Sequence, residues 1–117
     1  MNWEFFGFLK VVGLNAMFIT FPHPVGIVIG NAVIGENVVI YQNCTLGAKR
    51  VGDGKNGLFP HIGNNVRIFA GSIILGSINI CDHVWIGANS VVVKDIDEPG
   101  VYAGSPARRI GDIPKEF

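Results

Sequence analysis

The stretch IGNNVRIFAGSIILGSINICDHVWIGANSVV, residues 62–92, carries an aliphatic side chain at every sixth position. The same spacing extends back from Leu46 to Val28, so that ten positions share it: Val28, Ile34, Ile40, Leu46, Ile62, Ile68, Ile74, Ile80, Ile86 and Val92. An α-helix repeats every 3.6 residues and a flat strand every two, so neither produces a sustained period of six. The spacing predicts a solenoid of hexapeptide repeats in which these side chains point into a narrow core.

The position four residues after nine of these ten is also restricted. It holds small or branched side chains: Ala32, Val38, Cys44, Val66, Ser72, Ile78, Val84, Ser90 and Ile96. Glycine often follows the aliphatic residue, and Asn, Asp or Glu commonly lies next to it. Each unit is therefore predicted to be a short strand that ends in a tight turn.

The composition of the chain excludes several partners. Its 117 residues suffice for one domain, and nine basic residues balance nine acidic ones at a pI near 6.8. Because nucleic-acid binding needs a basic stripe or a high pI, we expect no nucleic-acid partner. The two cysteines, Cys44 and Cys81, occupy core-compatible positions without the spacing of a metal site. We expect both to be reduced packing residues in a cytoplasmic protein that holds no metal.

The first twenty residues are apolar enough to suggest a signal peptide or a membrane span. Neither fits well, because Glu4 precedes any cationic region, Lys10 interrupts the apolar run and Asn15 lies where an apolar core would continue. We expect residues 1–20 to form a cap on the open end of the solenoid or a subunit contact. Shallow attachment to a membrane surface through aromatic side chains is one alternative, and a partly degenerate first coil is another.

The repeat is interrupted between Leu46 and Ile62, which are sixteen residues apart. Residues 47–61 are rich in glycine and charge, so they predict an exposed excursion loop of the kind that often binds ligands. The repeat domain as a whole is predicted to span residues 21–112, with residues 113–117 as a tail. Near its end, the adjacent Arg108 and Arg109 follow a Gly-Ser-Pro turn and could hold a phosphate or remain solvated.

Five ordered motifs within residues 20–112 resemble a known family. They are PHPVGIVIG (22–30), VIYQNCTLG (39–47), PHIG (60–63), IGANSVV (86–92) and AGSPAR (103–108). With these motifs the chain resembles the hexapeptide-repeat acyltransferases, and is similar to the catalytic domain of serine acetyltransferase and to small polysaccharide O-acetyltransferases. The resemblance implies an all-β, left-handed parallel β-helix, a homotrimer with active sites between subunits, and acetyl-CoA as the acyl donor without a metal. Only some twenty residues precede the first motif, so we expect the helical domain that precedes the solenoid in serine acetyltransferase to be missing.

The resemblance also implies roles for individual residues. His23 stands at the position of the family's catalytic histidine and would act as general base toward an acceptor hydroxyl. His61 would take part in catalysis only if it replaces a second histidine of the family, and is otherwise a loop residue. His83 has no partner motif around it and is expected on the surface. The family's coenzyme A cleft matches the small residues Gly47, Ala70, Gly71 and Ala88, and the coenzyme A phosphates would meet Lys94, Arg108 and Arg109.

The acceptor-binding positions depart from serine acetyltransferase. Pro22 stands where that family has an acidic residue, and Leu58 and Phe59 stand where it has an Arg-His pair. A zwitterionic amino acid needs partners for both charges when it leaves water, so we expect a sugar or a surface-polysaccharide precursor as acceptor. Phe21, Tyr41 and Phe59 are candidates for an aromatic pocket or for core packing. Serine O-acetylation is the alternative, and a non-catalytic structural or accessory solenoid is the alternative of another class.

Overall fold

A computed structural model describes Trp3–Phe5, Leu9–Val12 and residues 19–50 and 52–115, with side chains from residue 19 onward except at positions 55 and 56. These residues form short strands: β1 (Trp3–Phe5), β2 (Leu9–Val12), β3 (Ile19–Thr20), β4 (Ile27–Ile29), β5 (Val33–Ile34), β6 (Val38–Ile40), β7 (Thr45–Gly47), β8 (His61–Ile62), β9 (Arg67–Ile68), β10 (Ile73–Leu75), β11 (Asn79–Ile80), β12 (Val84–Ile86), β13 (Val91–Val92), β14 (Gly100–Gly104) and β15 (Ala107–Gly111). A 3-10 helix at Asp53–Asn56 lies between β7 and β8.

Strands one coil apart pair in parallel and build three sheets. Sheet A has the order β1-β2-β4-β7-β10-β13, sheet B has the order β15-β14-β12-β9-β6-β3, and sheet C has the order β11-β8-β5. From β4 onward the chain visits sheets A, C and B in turn, and each coil stacks on the one before it. The described residues thus form a three-sided parallel β-helix, and the fold predicted from the period of six is confirmed.

The prediction that the repeating side chains point inward is correct at every position except Val28. Val28 lies on the outer face of sheet A and is 46% exposed, whereas Ile29 is fully buried and pairs in register with Leu46. The turn from β4 to β5 is one residue shorter than a full unit, so the inward residue before Ile34 is Ile29. The small or branched positions four residues further on are buried as well, so each unit points a second side chain inward: Ala32, Val38, Cys44, Val66, Ser72, Ile78, Val84, Ser90 and Ile96.

Three of these buried positions carry a polar atom, and each finds a partner in the backbone of the next coil. Cys44, Ser72 and Ser90 follow the same turn in successive coils and are fully buried. The Cys44 thiol, for example, donates to the Phe69 carbonyl at 3.2 Å. Burial raises the pKa of the Cys44 thiol, so it stays protonated as a packing residue. Cys44 and the partly buried Cys81 are both free thiols.

Two departures from a regular coil position the candidate site. The predicted excursion loop leaves at the end of β7 and returns at β8, while Leu46 and Ile74 remain in-register partners above and below it. The second departure lies after Val92, where the period of six also ends: Val84 lies opposite Gly100, two residues short of a full coil. The missing residues belong to the turn after β13. Val92 lies opposite Ile74, a full coil away, whereas Ile96 already lies opposite Ile80, two residues short of a full coil.

The N-terminal strands extend two of the sheets. β2 pairs in parallel with β4, and β3 pairs in parallel with β6, as the degenerate-coil alternative requires. β1 folds back on β2 as an antiparallel hairpin. Capping, subunit contact and membrane attachment by residues 1–20 depend mostly on side chains outside the described residues and stay predictions. No helix in the described part of the chain is long and apolar enough to cross a membrane.

Candidate active site

One edge of the solenoid, where the chain turns from sheet B into sheet A, holds four stacked turns. We name it the B–A edge and define it as residues 21–26, 41–44, 69–72 and 87–90. Backbone hydrogen bonds join neighbouring turns: Asn43 N–H to Val25 O at 2.8 Å, Gly71 N–H to Gln42 O at 3.0 Å, and Asn89 N–H to Ala70 O at 2.9 Å. The loop that carries His23 is therefore held against the rest of the stack.

Each of these turns contains one residue in the left-handed conformation. Gly26, Asn43, Gly71 and Asn89 have φ values of 65°, 60°, 76° and 57°, and asparagine tolerates this region better than most side chains. The glycines are needed for a second reason. A Cβ on Gly26 would overlap Asn43 Oδ1, and a Cβ on Gly71 would overlap Asn89 Oδ1. The alternation of Gly and Asn thus lets the turns approach closely.

His23 lies in the first turn of this edge, and its side chain is exposed. The His23 carbonyl accepts the Val25 N–H at 2.7 Å, which fixes the backbone beside the imidazole. An exposed imidazole can reach a bound substrate and exchange a proton near neutral pH. Ala70, Gly71 and Ala88 lie on the same edge, two and three turns further along the stack, so the structure aligns the candidate base with three candidate coenzyme A residues.

The other edge of sheet A holds the excursion loop. We name it the A–C edge and define it as residues 30–32, 48–50, 52–60, 76–78 and 93–95. Gly47 leads into this edge, Lys94 lies on it, and His61 begins the strand that follows it. A strand of three residues spans roughly 10 Å, so His23 and His61 are separated by the width of sheet A. Within one chain the structure does not bring the two histidines together.

The ring of Phe59 fastens the excursion loop to the coil beneath it. A Cβ on Gly30 would overlap this ring, and a Cβ on Gly54 would lie 3.2 Å from it, so the ring contacts both glycines. The loop is closed internally by a hydrogen bond from the Arg50 N–H to Asp53 Oδ2 at 3.2 Å. Of the two alternatives for Phe59, the structure shows packing.

The other positions that depart from serine acetyltransferase are on the surface. Pro22 is exposed beside His23, and Leu58 is 37% exposed at the end of the excursion loop. Together with Phe59, these positions supply apolar surface and no charge. Phe21, the third aromatic candidate, packs partly buried against the core.

The three basic residues predicted to meet phosphates are divided between two places. Lys94 and Arg108 line one cavity of about 150 Å³, which Asp95 lines as well. Arg109, the next residue on β15, donates to the Pro99 carbonyl at 3.0 Å and to Asp112 Oδ1 at 2.6 Å. Its guanidinium is therefore engaged within its own chain.

His61 and His83 lie on other surfaces. His61 lines an open cavity of about 410 Å³ on sheet C, with Asn79 as its in-register neighbour. His83 is exposed in a turn from sheet C to sheet B, with φ 59°. In the described ranges, no three His, Cys, Asp or Glu side chains come together as a metal site would require.

An aromatic cluster that extends from the B–A edge onto sheet B was not predicted. The rings of Tyr41 and Phe69 stack with centroids 5.1 Å apart and planes at 10°. Trp85 meets Phe69 edge-on at 5.7 Å, and the Arg67 guanidinium lies 5.2 Å from the Trp85 ring. Tyr41 and Phe69 each follow directly after an inward position of the repeat, a spacing by which the sequence could have revealed the pair.

Known proteins are similar to this chain in sequence and in fold. No family model matches the chain. A serine acetyltransferase of Staphylococcus epidermidis strain RP62A is 46% identical over 97 residues, which cover 76% of this chain and 45% of that protein. Soybean serine acetyltransferase complexed with serine superposes with a TM-score of 0.71 at 42% identity, over 79% of this chain and 37% of that one. The coenzyme A complex of serine acetyltransferase from Brucella abortus strain S19 gives a TM-score of 0.73 at 38% identity, over 82% of this chain and 38% of that one.

This chain spans less than half the length of each of these three proteins. These matches show that the chain belongs to the hexapeptide-repeat acyltransferases of the left-handed parallel β-helix fold and is similar to the catalytic domain of serine acetyltransferase.

Proposed function

We propose that this chain is an O-acetyltransferase that passes the acetyl group of acetyl-CoA to a hydroxyl group. The observation that carries the proposal is the placement of His23 on the same edge as Ala70, Gly71 and Ala88. Small side chains there leave the backbone of the stacked turns open, and the thin pantetheine arm of coenzyme A would fit along it. One structural relative is a complex with coenzyme A and another is a complex with serine, which supports this choice of substrates.

In the proposed reaction, the neutral imidazole of His23 removes the proton from the acceptor hydroxyl as its oxygen attacks the thioester carbonyl. The attack forms a tetrahedral oxyanion, and a backbone N–H group can stabilise such an anion by roughly 3 kcal/mol where water is excluded. Collapse of the intermediate breaks the C–S bond, and the departing coenzyme A thiolate takes the proton from the imidazolium. The ester and free coenzyme A leave, and no acyl-enzyme forms.

The proposal includes a homotrimer, because one chain holds its candidate residues on two separate edges. Between these edges, a column of side chains on the outer face of sheet A contains Val28 and Ile73, 46% and 37% exposed, with Thr45 between them. Packing this column against a second copy would remove apolar surface from water and bring an A–C edge near a B–A edge. Light scattering should give a trimer for the wild type and smaller species for Val28→Asp. A monomeric wild type would contradict this part of the proposal.

L-Serine is the first acceptor that we propose, because the relatives are named serine acetyltransferases. A sugar hydroxyl is the second, and a specific observation favours it. Pro22, Leu58 and Phe59 offer no charged partner for an amino acid's ammonium or carboxylate, and such groups need partners when they leave water. L-Serine would need charged partners near these three positions, whereas a sugar would not.

The test is release of free coenzyme A from acetyl-CoA, followed with a thiol reagent, in the presence of L-serine or a panel of sugars and nucleotide sugars. We expect turnover with one acceptor class, loss of turnover in His23→Ala, and full turnover in His83→Ala, a matched control at an exposed histidine outside both edges. Equal activity of His23→Ala and the wild type would refute the role of His23. Coenzyme A binding without turnover on any acceptor would instead support a structural or accessory solenoid.

The proposal also places the protein in the cytoplasm. Cys44 and Cys81 are both free thiols, and unpaired cysteines are typical of a reducing compartment. Fractionation of the native host, with the protein recovered in the cytoplasmic fraction, is the expected result.

A further inference from the structure

The amide oxygen of Gln42 is buried without a partner. Gln42 Oε1 is inaccessible to solvent and makes no hydrogen bond within the described part of the chain. An amide oxygen only accepts hydrogen bonds, and leaving it unpaired in the interior costs free energy. Buried polar atoms of native proteins nearly always have partners, so an orphan of this kind calls for a donor.

The backbone of Gln42 is fixed from two sides, next to the His23 loop. Its carbonyl accepts the Gly71 N–H at 3.0 Å, and the following residue, Asn43, donates to the Val25 carbonyl at 2.8 Å. Val25 is in turn bonded to the His23 carbonyl at 2.7 Å. Adjacent strands lie about 4.8 Å apart, so Gln42 and His23 occupy neighbouring turns of the B–A edge within side-chain reach of each other.

We propose that Gln42 is a positioning residue whose Oε1, unpaired in the described conformation, accepts a hydrogen bond from one ring N–H of His23 once the exposed imidazole turns toward the neighbouring turn. A neutral imidazole has one N–H donor and one lone pair, and a fixed acceptor for the N–H determines which nitrogen keeps the lone pair. With its N–H bonded to Gln42, His23 presents its other nitrogen outward as the base. The catalytic consequence of this hydrogen bond rests on the function proposed above, whereas the bond itself does not.

The proposed bond can be tested without substrate, because few ionisable groups surround the His23 loop. Among the described side chains on β3, β4, β6 and the turn at 41–44, the titratable groups besides His23 are Tyr41 and the buried Cys44. On β2, Lys10 lies opposite Val28. Gln42→Glu would place a carboxylate of the same shape where the amide is. A negative charge at hydrogen-bond distance should raise the pKa of His23 by roughly one unit.

The measurement is proton and nitrogen NMR of the imidazole rings in the full chain, with each histidine assigned by its own substitution. In Gln42→Glu we expect the pKa of His23 to rise while those of His61 and His83 stay constant. Asn79→Asp is the matched control, because Asn79 lies opposite His61 in sheet C, and it should move His61 alone. An unchanged pKa of His23 in Gln42→Glu, with His61 moved in the control, overturns the proposal.

Gln42→Met removes the acceptor while keeping the length of the side chain. It should leave the thermal midpoint unchanged or raised, and it should abolish the preference of His23 for a single tautomer. If the wild type transfers acetyl groups, Gln42→Met should lower kcat roughly tenfold or more with the KM for acetyl-CoA unchanged, and Gln42→Glu should shift the acidic limb of the pH profile upward. A wild type without turnover would refute the proposed function, but the NMR result would still decide the hydrogen bond. An unaltered tautomer in Gln42→Met would count against it.

Discussion

Substituting Gly26 by alanine should weaken the packing of the His23 loop on the turn beside it. Two costs add. Gly26 has a φ of 65°, and an alanine in the left-handed region costs about 1–2 kcal/mol. The new Cβ would also overlap Asn43 Oδ1, and overpacking typically costs about 1–3 kcal/mol. We expect Gly26→Ala to lower the free energy of unfolding by about 2–5 kcal/mol.

Two further variants separate these costs. Gly57 has a φ of 69° and no atom within 4 Å of the place that its Cβ would take, so Gly57→Ala should cost only the conformational part, about 1–2 kcal/mol. Asn43→Gly removes the amide that the Gly26→Ala Cβ would meet and keeps the left-handed turn. The double variant should therefore be about 1–3 kcal/mol more stable than the sum of its single changes predicts.

Urea unfolding at one fixed protein concentration gives the free energies of all four variants, and acetyl transfer gives their activities. Because His23 lies three residues before Gly26, activity should fall in Gly26→Ala and partly recover in the double variant. Equal destabilisation by Gly26→Ala and Gly57→Ala would refute the reasoning. So would strict additivity of Gly26→Ala and Asn43→Gly, since additive sites do not touch.

Three other substitutions test the scaffold. Cys44→Ser should fold, because Ser72 fills the same place in the next coil, and it should remove an alkaline loss of stability. Burial raises the pKa of the folded Cys44 thiol above 9.0, so its stabilisation is complete below that value and is lost as the pH rises through the raised pKa; equal wild-type unfolding energies near pH 7 and about pH 11 would contradict this. His83→Asn should raise the free energy of unfolding by about 0.5–1 kcal/mol, and the thermal midpoint with it, because asparagine adopts a φ of 59° more readily than histidine. A lowered thermal midpoint would contradict this. Phe59→Ala should cost about 2–3 kcal/mol and speed limited proteolysis within residues 48–60; unchanged cleavage would mean that other contacts hold the loop.

The period of six predicted most of the fold because every coil buries its side chains in the same way. It was wrong at Val28, where three aliphatic residues follow one another from Ile27 to Ile29. The period fits the middle one, but two buried side chains of a strand must flank an outward one. Only the pairing of Ile29 with Leu46 shows which residues point inward.

The residues proposed for the site came from the sequence, but their grouping did not. The sequence does not distinguish the adjacent Arg108 and Arg109. Side chains alternate along a strand, so Arg108 lines the same cavity as Lys94, whereas Arg109 bonds to the Pro99 carbonyl. His23 and His61 each stand in a motif, and their separation depends on which turn of the coil holds each one. The unpaired oxygen of Gln42 depends on packing around a single atom, which no spacing rule encodes.

The places where the coil departs from its period are also the places where the chain offers chemistry. A regular solenoid stacks each turn on the next and leaves little space between them. The shortened turn after β13 leaves the last coil two residues short, and the cavity that Lys94 shares with Arg108 lies there. The excursion of residues 48–60 ends at His61, and the loop at residues 21–26 carries His23. Repetition therefore sets the distance between the two edges of sheet A, and the irregular turns determine which side chains are presented along them.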